Sequence, residues 1–263
     1  MTTFHGLRTS VDGHVAELRL SLPDTLNAFD AELHRSFVAA LRHLSANVDV
    51  RAILLSAEGR LFSAGGSFDF IEDLAGAPLK RREMPQDAHE LFTTLCDMPV
   101  PVVVALHGDA IGLGATIVTA CDAVVAHPDA KLIDPHVRVG LTAGDGGVAS
   151  WTLAAGLMRA KRHLLTGDPL TARDAHAIGL VTDLVDSADA VLPAARKLAQ
   201  RIAELPPLAV RGTKAAFNTL ARDSARAAFE VSLLNELACL GSADVLEAVK
   251  AAREKRKGHY RGV

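Results

Sequence analysis

Two glycine-rich stretches carry the residues best suited to chemistry. The first runs from Arg60 to Phe68 and contains Gly65 and Gly66; the second runs from His107 to Ala115 and contains Gly108, Gly112 and Gly114. Each follows an apolar, strand-like run, Ala52 to Leu55 before the first and Val102 to Leu106 before the second. Each then enters a segment that can be helical. Glycine lets a backbone approach a ligand closely, and the first amides of a helix point outward without an internal acceptor. Two such turns side by side would aim two N–H groups at one oxygen. That arrangement stabilises a developing oxyanion, and one donor there is worth about 3 kcal/mol of barrier. The plainer alternative is that the glycines only end strands. A third stretch, Lys131 to Gly147, has no clear period and holds His136, Asp145 and four glycines. An imidazole titrates at about pH 6.5, and a carboxylate flanked by glycines sits against accessible backbone.

The elements that must position these residues read as a β/α series followed by helices. Leu7 to Leu20 is a hairpin turning at Asp12-Gly13. Leu22 to Ala28 is a loop, and Asp30 can cap a helix whose stripe is Leu33, Phe37, Leu41 and Leu44. Arg51 to Ala57 is a β run, Phe70 to Lys80 is mixed, and Ala75 to Arg82 is the most lid-like segment. Asp87 to Cys96 reads as helix, Ala115 to Cys121 as a buried helix and Ala123 to His127 as a strand. Val148 to Gly156 and Met158 to Leu165 look helical, Thr171 caps a further short helix, and Gly179 to Val185 is a last β run. From Asp189 the chain is helix after helix, broken at Pro206-Pro207 and Gly241. This order argues an α/β core with a helical C-terminal appendage. A soft boundary near Asp186 to Leu205 suggests residues 1–195 as core and 196–263 as the helical, oligomerising region.

Composition excludes several partners. A net charge of −3 gives no basic footprint for nucleic acid, and 4% aromatics leave few stacking platforms for bases. No stretch approaches the roughly 20 apolar residues of a membrane helix. Cys96, Cys121 and Cys239 are odd in number without CxxC spacing, and the N-terminus carries no basic-then-apolar leader, so a cytoplasmic location is expected. No histidine spacing suggests zinc, and no metal is expected. His34 and His43 are expected on a solvated helix face. Gly112-x-Gly114 lacks the third glycine of a dinucleotide fingerprint. G-x-S-x-G is absent, which disfavours a serine hydrolase.

Taken together and in order, several landmarks resemble the enoyl-CoA hydratase/isomerase (crotonase) superfamily over nearly the whole chain. They are Asn27-Ala28, Phe62 to Gly66, Gly108-x-Ala110-x-Gly112-x-Gly114, Ala120 to Asp122, Leu165 to Asp168, and Ala172 with Ala175 to Val181. The resemblance implies a ClpP-like spiral of β/β/α turns with helices at the C-terminus, assembled as trimers or hexamers. It implies an acyl-CoA thioester substrate, coenzyme A entering only as part of it and no permanently bound cofactor. The two oxyanion amides then belong to Gly66 and Leu113. Asn27, Ala28, Ser63, Ala64, Gly65, Ser67 and Phe68 would line the substrate path, and Lys255 looks placed to reach CoA phosphate.

The chain also departs from the family. A typical hydratase has two glutamates where this sequence has Thr116 and His136. Thr116 can at most orient water; His136 can move a proton, and Asp145 falls near a third acid/base location of the family. The pair Asp145 and His136 is therefore the expected acid/base couple, in an enzyme most similar to an enoyl-CoA hydratase. Isomerisation is an alternative, as is a non-catalytic CoA-binding homologue. His136, Asp145 and Trp151 are also similar to the 6-oxocamphor hydrolase branch, which cleaves a carbon–carbon bond without CoA and has a further acid near Glu236. That branch has a catalytic histidine where this chain has Asp30.

Overall fold

The computed structural model describes residues 3–263. Strands β1 (Leu7–Asp12) and β2 (Val15–Leu20) form the expected antiparallel hairpin, with Asp12 opposite Val15 across Gly13. Helix α1 (Ala31–Ala46) follows, its Asp30 carboxylate accepting from Leu33 N–H at 2.8 Å. Strand β3 (Ala52–Ala57) leads to α2 (Phe68–Gly76) and α3 (Met84–Cys96). Strands β4 (Val102–Leu106) and β5 (Ala110–Ile111) then deliver α4 (Leu113–Thr119). Strands β6 (Ala123–Ala126) and β7 (Lys131–Ile133) precede α5 (Gly147–Ala155) and α6 (Leu157–Leu164). Strand β8 (Leu170–Thr171), α7 (Ala172–Ala177) and β9 (Asp183–Leu184) complete the core sequence. Helices α8 (Ala188–Ala203), α9 (Pro207–Leu240) and α10 (Ala243–Arg253) close the chain.

The main sheet has the order β1-β2-β3-β4-β6-β9, parallel from β2 onward, and a second sheet has the order β5-β7-β8. Parallel strands buried on both faces read as continuous apolar runs, and β3 and β4 obey this. Ile53 and Leu55 face the large core that includes α1 and α4, whereas Ala52 and Leu54 face Val191, Ala195, Ala199 and Ala203 of α8. Helix α8 therefore packs on the core sheet. Residue 195 lies inside it, and the break before the appendage falls at Glu204 to Pro206 rather than at 195–196.

Three expectations need correction. Part of the mixed segment Phe70 to Lys80 is helical, because Ile71 and Leu74 gain a packing surface on Leu141, Leu240 and Val245. The run Gly179 to Val185 pairs only at β9, with β6. His34 is buried, since α3 packs over the side of α1 that bears it. Among the described residues no helix is long and apolar enough to cross a membrane.

Candidate active site

The two glycine turns meet. Ser63 and Ala110 form an isolated parallel bridge, and Ile111 N–H donates to Ser63 O at 2.9 Å. Gly65 has φ +78°, and a Cβ there would lie 2.5 Å from Ile111 O, so only glycine permits the approach. Behind the turns, Asn27 adopts φ +53° and ties three loop segments. Its Oδ1 accepts from Leu22 N–H at 2.9 Å; its Nδ2 donates to Glu58 O at 2.8 Å and Phe62 O at 3.1 Å. The Ser63 hydroxyl donates to Asn27 O at 2.8 Å and accepts from Gly65 N–H at 3.1 Å. Ser67 caps α2 by accepting from Phe70 N–H.

In front of the turns lies a cavity of about 320 Å³. Gly66 and Leu113 both line it, and neither amide donates to an acceptor among the described residues. Leu113 is the first residue of α4, where an unpaired amide is expected. Apolar walls come from Phe70, Ile71 and Leu74 of α2, Met84 of α3, and Leu141 and Leu240.

One pole of the cavity is an ionisable cluster. His136 Nδ1 contacts Asp134 Oδ1 at 2.6 Å, and its Nε2 lies 3.6 Å from Asp145 Oδ2, an ion-pair separation too long for a hydrogen bond. The Thr116 hydroxyl donates to Asp145 Oδ1 at 2.9 Å and Gly147 N–H to the same oxygen at 3.1 Å. Glu236 projects from α9 into the same cavity. Asp134 Oδ2, Asp145 Oδ2 and Glu236 Oε2 are buried without a hydrogen-bond partner among the described residues.

These contacts set the charges. Burial opposes a cation on His136, but the Asp134 and Asp145 carboxylates outweigh it and hold the imidazole well above its usual range. Burial raises Asp145 above the usual carboxylate value, against the pull of the imidazolium and the Thr116 hydroxyl. Burial pushes Glu236 up to about 8, again opposed by His136. Near neutral pH the cluster thus favours an imidazolium and a protonated Glu236, and it leaves Asp145 with one buried carboxylate oxygen, Oδ2, that has no hydrogen-bond partner among the described residues.

Asp134, His136 and Asp145 bring ligand atoms within 4.8 Å of one another. The short Nδ1–Oδ1 contact needs a ring proton between the two atoms, which leaves Nε2 as the ring nitrogen turned toward Asp145.

Of the residues expected at the site, Ala64, Gly66, Phe68, Leu113, His136 and Asp145 line the cavity. Thr116 stands behind Asp145 and orients it. Asn27, Ser63, Gly65 and Ser67 shape the turns from behind, and Ala28 is not in the cavity wall. Lys255 is exposed just past the end of α10 and is not among the wall residues. Sequence reasoning missed Asp134, whose clue was an acid two residues before His136. It also missed His34, which lines the cavity with Nδ1 buried and unpartnered.

Comparison with known proteins agrees with this architecture. Residues 10–262 match the family described as enoyl-CoA hydratase/isomerase. A putative enoyl-CoA hydratase of Thermus thermophilus is 33% identical over 94% of this chain and 98% of its own length. The 1,2-epoxyphenylacetyl-CoA isomerase of Escherichia coli is 28% identical over 96% and 97%. The crystal structure of an enoyl-CoA hydratase/isomerase from Mycobacterium paratuberculosis superposes with a TM-score of 0.88 at 32% identity, covering 93% of this chain and 97% of that one. The chain belongs to the enoyl-CoA hydratase/isomerase family, the crotonase superfamily of acyl-CoA-processing enzymes.

Proposed function

We propose that the protein binds an unsaturated acyl-CoA thioester and shifts its double bond by moving one proton, with the enolate oxygen held by the Gly66 and Leu113 amides. The observation that carries this reading is Asp145: its Oδ2 is free, buried and beside an imidazolium. In a 3-enoyl thioester, Asp145 takes the α-proton and the electron pair spreads onto the thioester oxygen. The two amides meet the charge that develops there. Asp145 then returns the proton at the γ carbon, and the double bond moves into conjugation. His136 steadies the carboxylate before and after each transfer; Asp134 fixes the ring's orientation through Nδ1.

Hydration demands more of the site. Two groups must hold and deprotonate water, yet the Thr116 hydroxyl is committed to Asp145 and His136 is cationic. Hydration remains the second reading because protonated Glu236 offers a donor for the α carbon, and because the Thermus thermophilus relative is named a putative enoyl-CoA hydratase. Coenzyme A arrives with the substrate, and exposed Lys255 is the residue assigned to its phosphates.

Absorbance of the conjugated thioester separates the reactions. A 3-enoyl-CoA should gain it on isomerisation, whereas crotonyl-CoA and longer or cyclic 2-enoyl-CoAs should lose it on hydration. No change with either set removes both readings. Free coenzyme A should inhibit; indifference to it would favour carbon–carbon hydrolysis.

A further inference from the structure

The cavity wall holds a second set of polar residues, on α1 and α3, besides the acid/base cluster. His34 lines the cavity from α1, opposite Met84, Asp87 and Ala88 of α3. The side chain is almost fully buried, and Nδ1 has no hydrogen-bond partner among the described residues. The ring meets Phe29 edge-on at 6.4 Å between centroids, which fixes its plane. Beyond His34 and Asp87 lies a separate crevice between α1 and α3, lined also by Arg35, Arg42, Gln86 and Glu90. His34 thus stands as a partition between an apolar cavity and a charged surface cleft.

An unpaired buried polar atom is costly, and native proteins seldom keep one without a use for it. We infer that His34 is a specificity-determining residue that hydrogen-bonds a neutral oxygen, a hydroxyl or a keto group, carried on the acyl part of the thioester. The inference rests on the acyl-CoA reading above. Burial draws His34 down to about 4, so at neutral pH the ring is uncharged and offers one donor and one acceptor. The charges that act on it come from Arg35 and Glu90, not from His136 or Asp145. With reacting carbons at Asp145, the remainder of the acyl group runs along Phe70, Ile71 and Leu74 toward this second polar set. A carboxylate at the same end would meet the Asp87 carboxylate in the cavity wall, whose partner Arg35 is exposed in the outer crevice, and this argues for an uncharged oxygen.

The test is calorimetric binding of saturated thioesters, which undergo no double-bond chemistry. Hexanoyl-CoA is compared with derivatives bearing a hydroxyl or keto oxygen at successive carbons beyond the β carbon, and with adipoyl-CoA. At least one neutral oxygenated ligand should bind the wild type roughly tenfold tighter than hexanoyl-CoA. His34→Leu should abolish that preference and bind hexanoyl-CoA at least as well as the wild type. His34→Phe serves as the second apolar variant should the first not fold. Equal binding of all neutral ligands by the wild type, tightest binding of adipoyl-CoA, or a preference that survives loss of the ring would each overturn the inference alone. Failure of every thioester, hexanoyl-CoA included, would overturn the acyl-CoA reading and this inference with it.

Discussion

At the scale of single residues the site turns on one oxygen, Asp145 Oδ2. Asp145→Asn keeps the shape and the acceptor for Thr116 but removes the base; kcat should fall by about 100-fold or more in a steady-state assay. Thr116→Val removes a hydrogen bond that stabilises the ionised carboxylate. The Asp145 pKa should rise, so the acid limb of the pH–rate profile should move to higher pH while the plateau changes less. An unshifted limb would mean that Asp145 is not the group titrating. His136 and Asp145 were singled out by a glycine-rich, aperiodic segment together with the family resemblance, and the structure places both in the cavity wall. Asp134 was not, since only the turn at Pro135 brings its carboxylate onto the imidazole of His136. His34 was misread for a different reason. The stripe Leu33, Phe37, Leu41 and Leu44 identifies one buried side of α1, but nothing local says that α3 covers a second.

At the scale of elements, the cradle depends on two strand-to-helix turns touching. Gly65→Ala would set a methyl against Ile111 O in a conformation that already disfavours a side chain. The turns should separate, and turnover should drop at least tenfold with a clear loss of thermal stability; an active, stable Gly65→Ala protein would show that the contact does not matter. The glycine turns, the opening hairpin and the Asp30 cap could be read from local residue chemistry alone. Helix α2 could not be read in full. Its buried stripe becomes visible only in the fold, where Ile71 and Leu74 pack with Leu240 and Val245. The C-terminal helices were legible as helices, but their job was not: α9 brings Glu236 and Leu240 into a cavity otherwise built from residues before Gly147.

At the scale of the whole molecule, a buried acid links function to stability. Folded Glu236 keeps its proton up to about pH 8, whereas in the unfolded chain it loses it near 4.5. Between these values the folded form binds more protons, so this group's contribution to stability is full below 4.5 and is lost as pH rises toward 8. Glu236→Gln, neutral throughout, should flatten the fall in Tm between pH 5 and pH 8. A recovered ~2 kcal/mol at the alkaline end would correspond to about 4–8 °C for a chain of this size; parallel Tm curves for the two proteins would refute the shift. The overall α/β order was visible from the sequence, while the exact limit between core and appendage was not, because α8 looks like the first appended helix yet lies on the sheet. The meeting of Ser63 with Ala110 and of Gly65 with Ile111 has a kinetic corollary. Those residues are distant along the chain, and contacts of that kind form late and slowly. During renaturation from denaturant, circular dichroism should return before enzymatic competence, so that regained turnover times the last step of folding rather than the first.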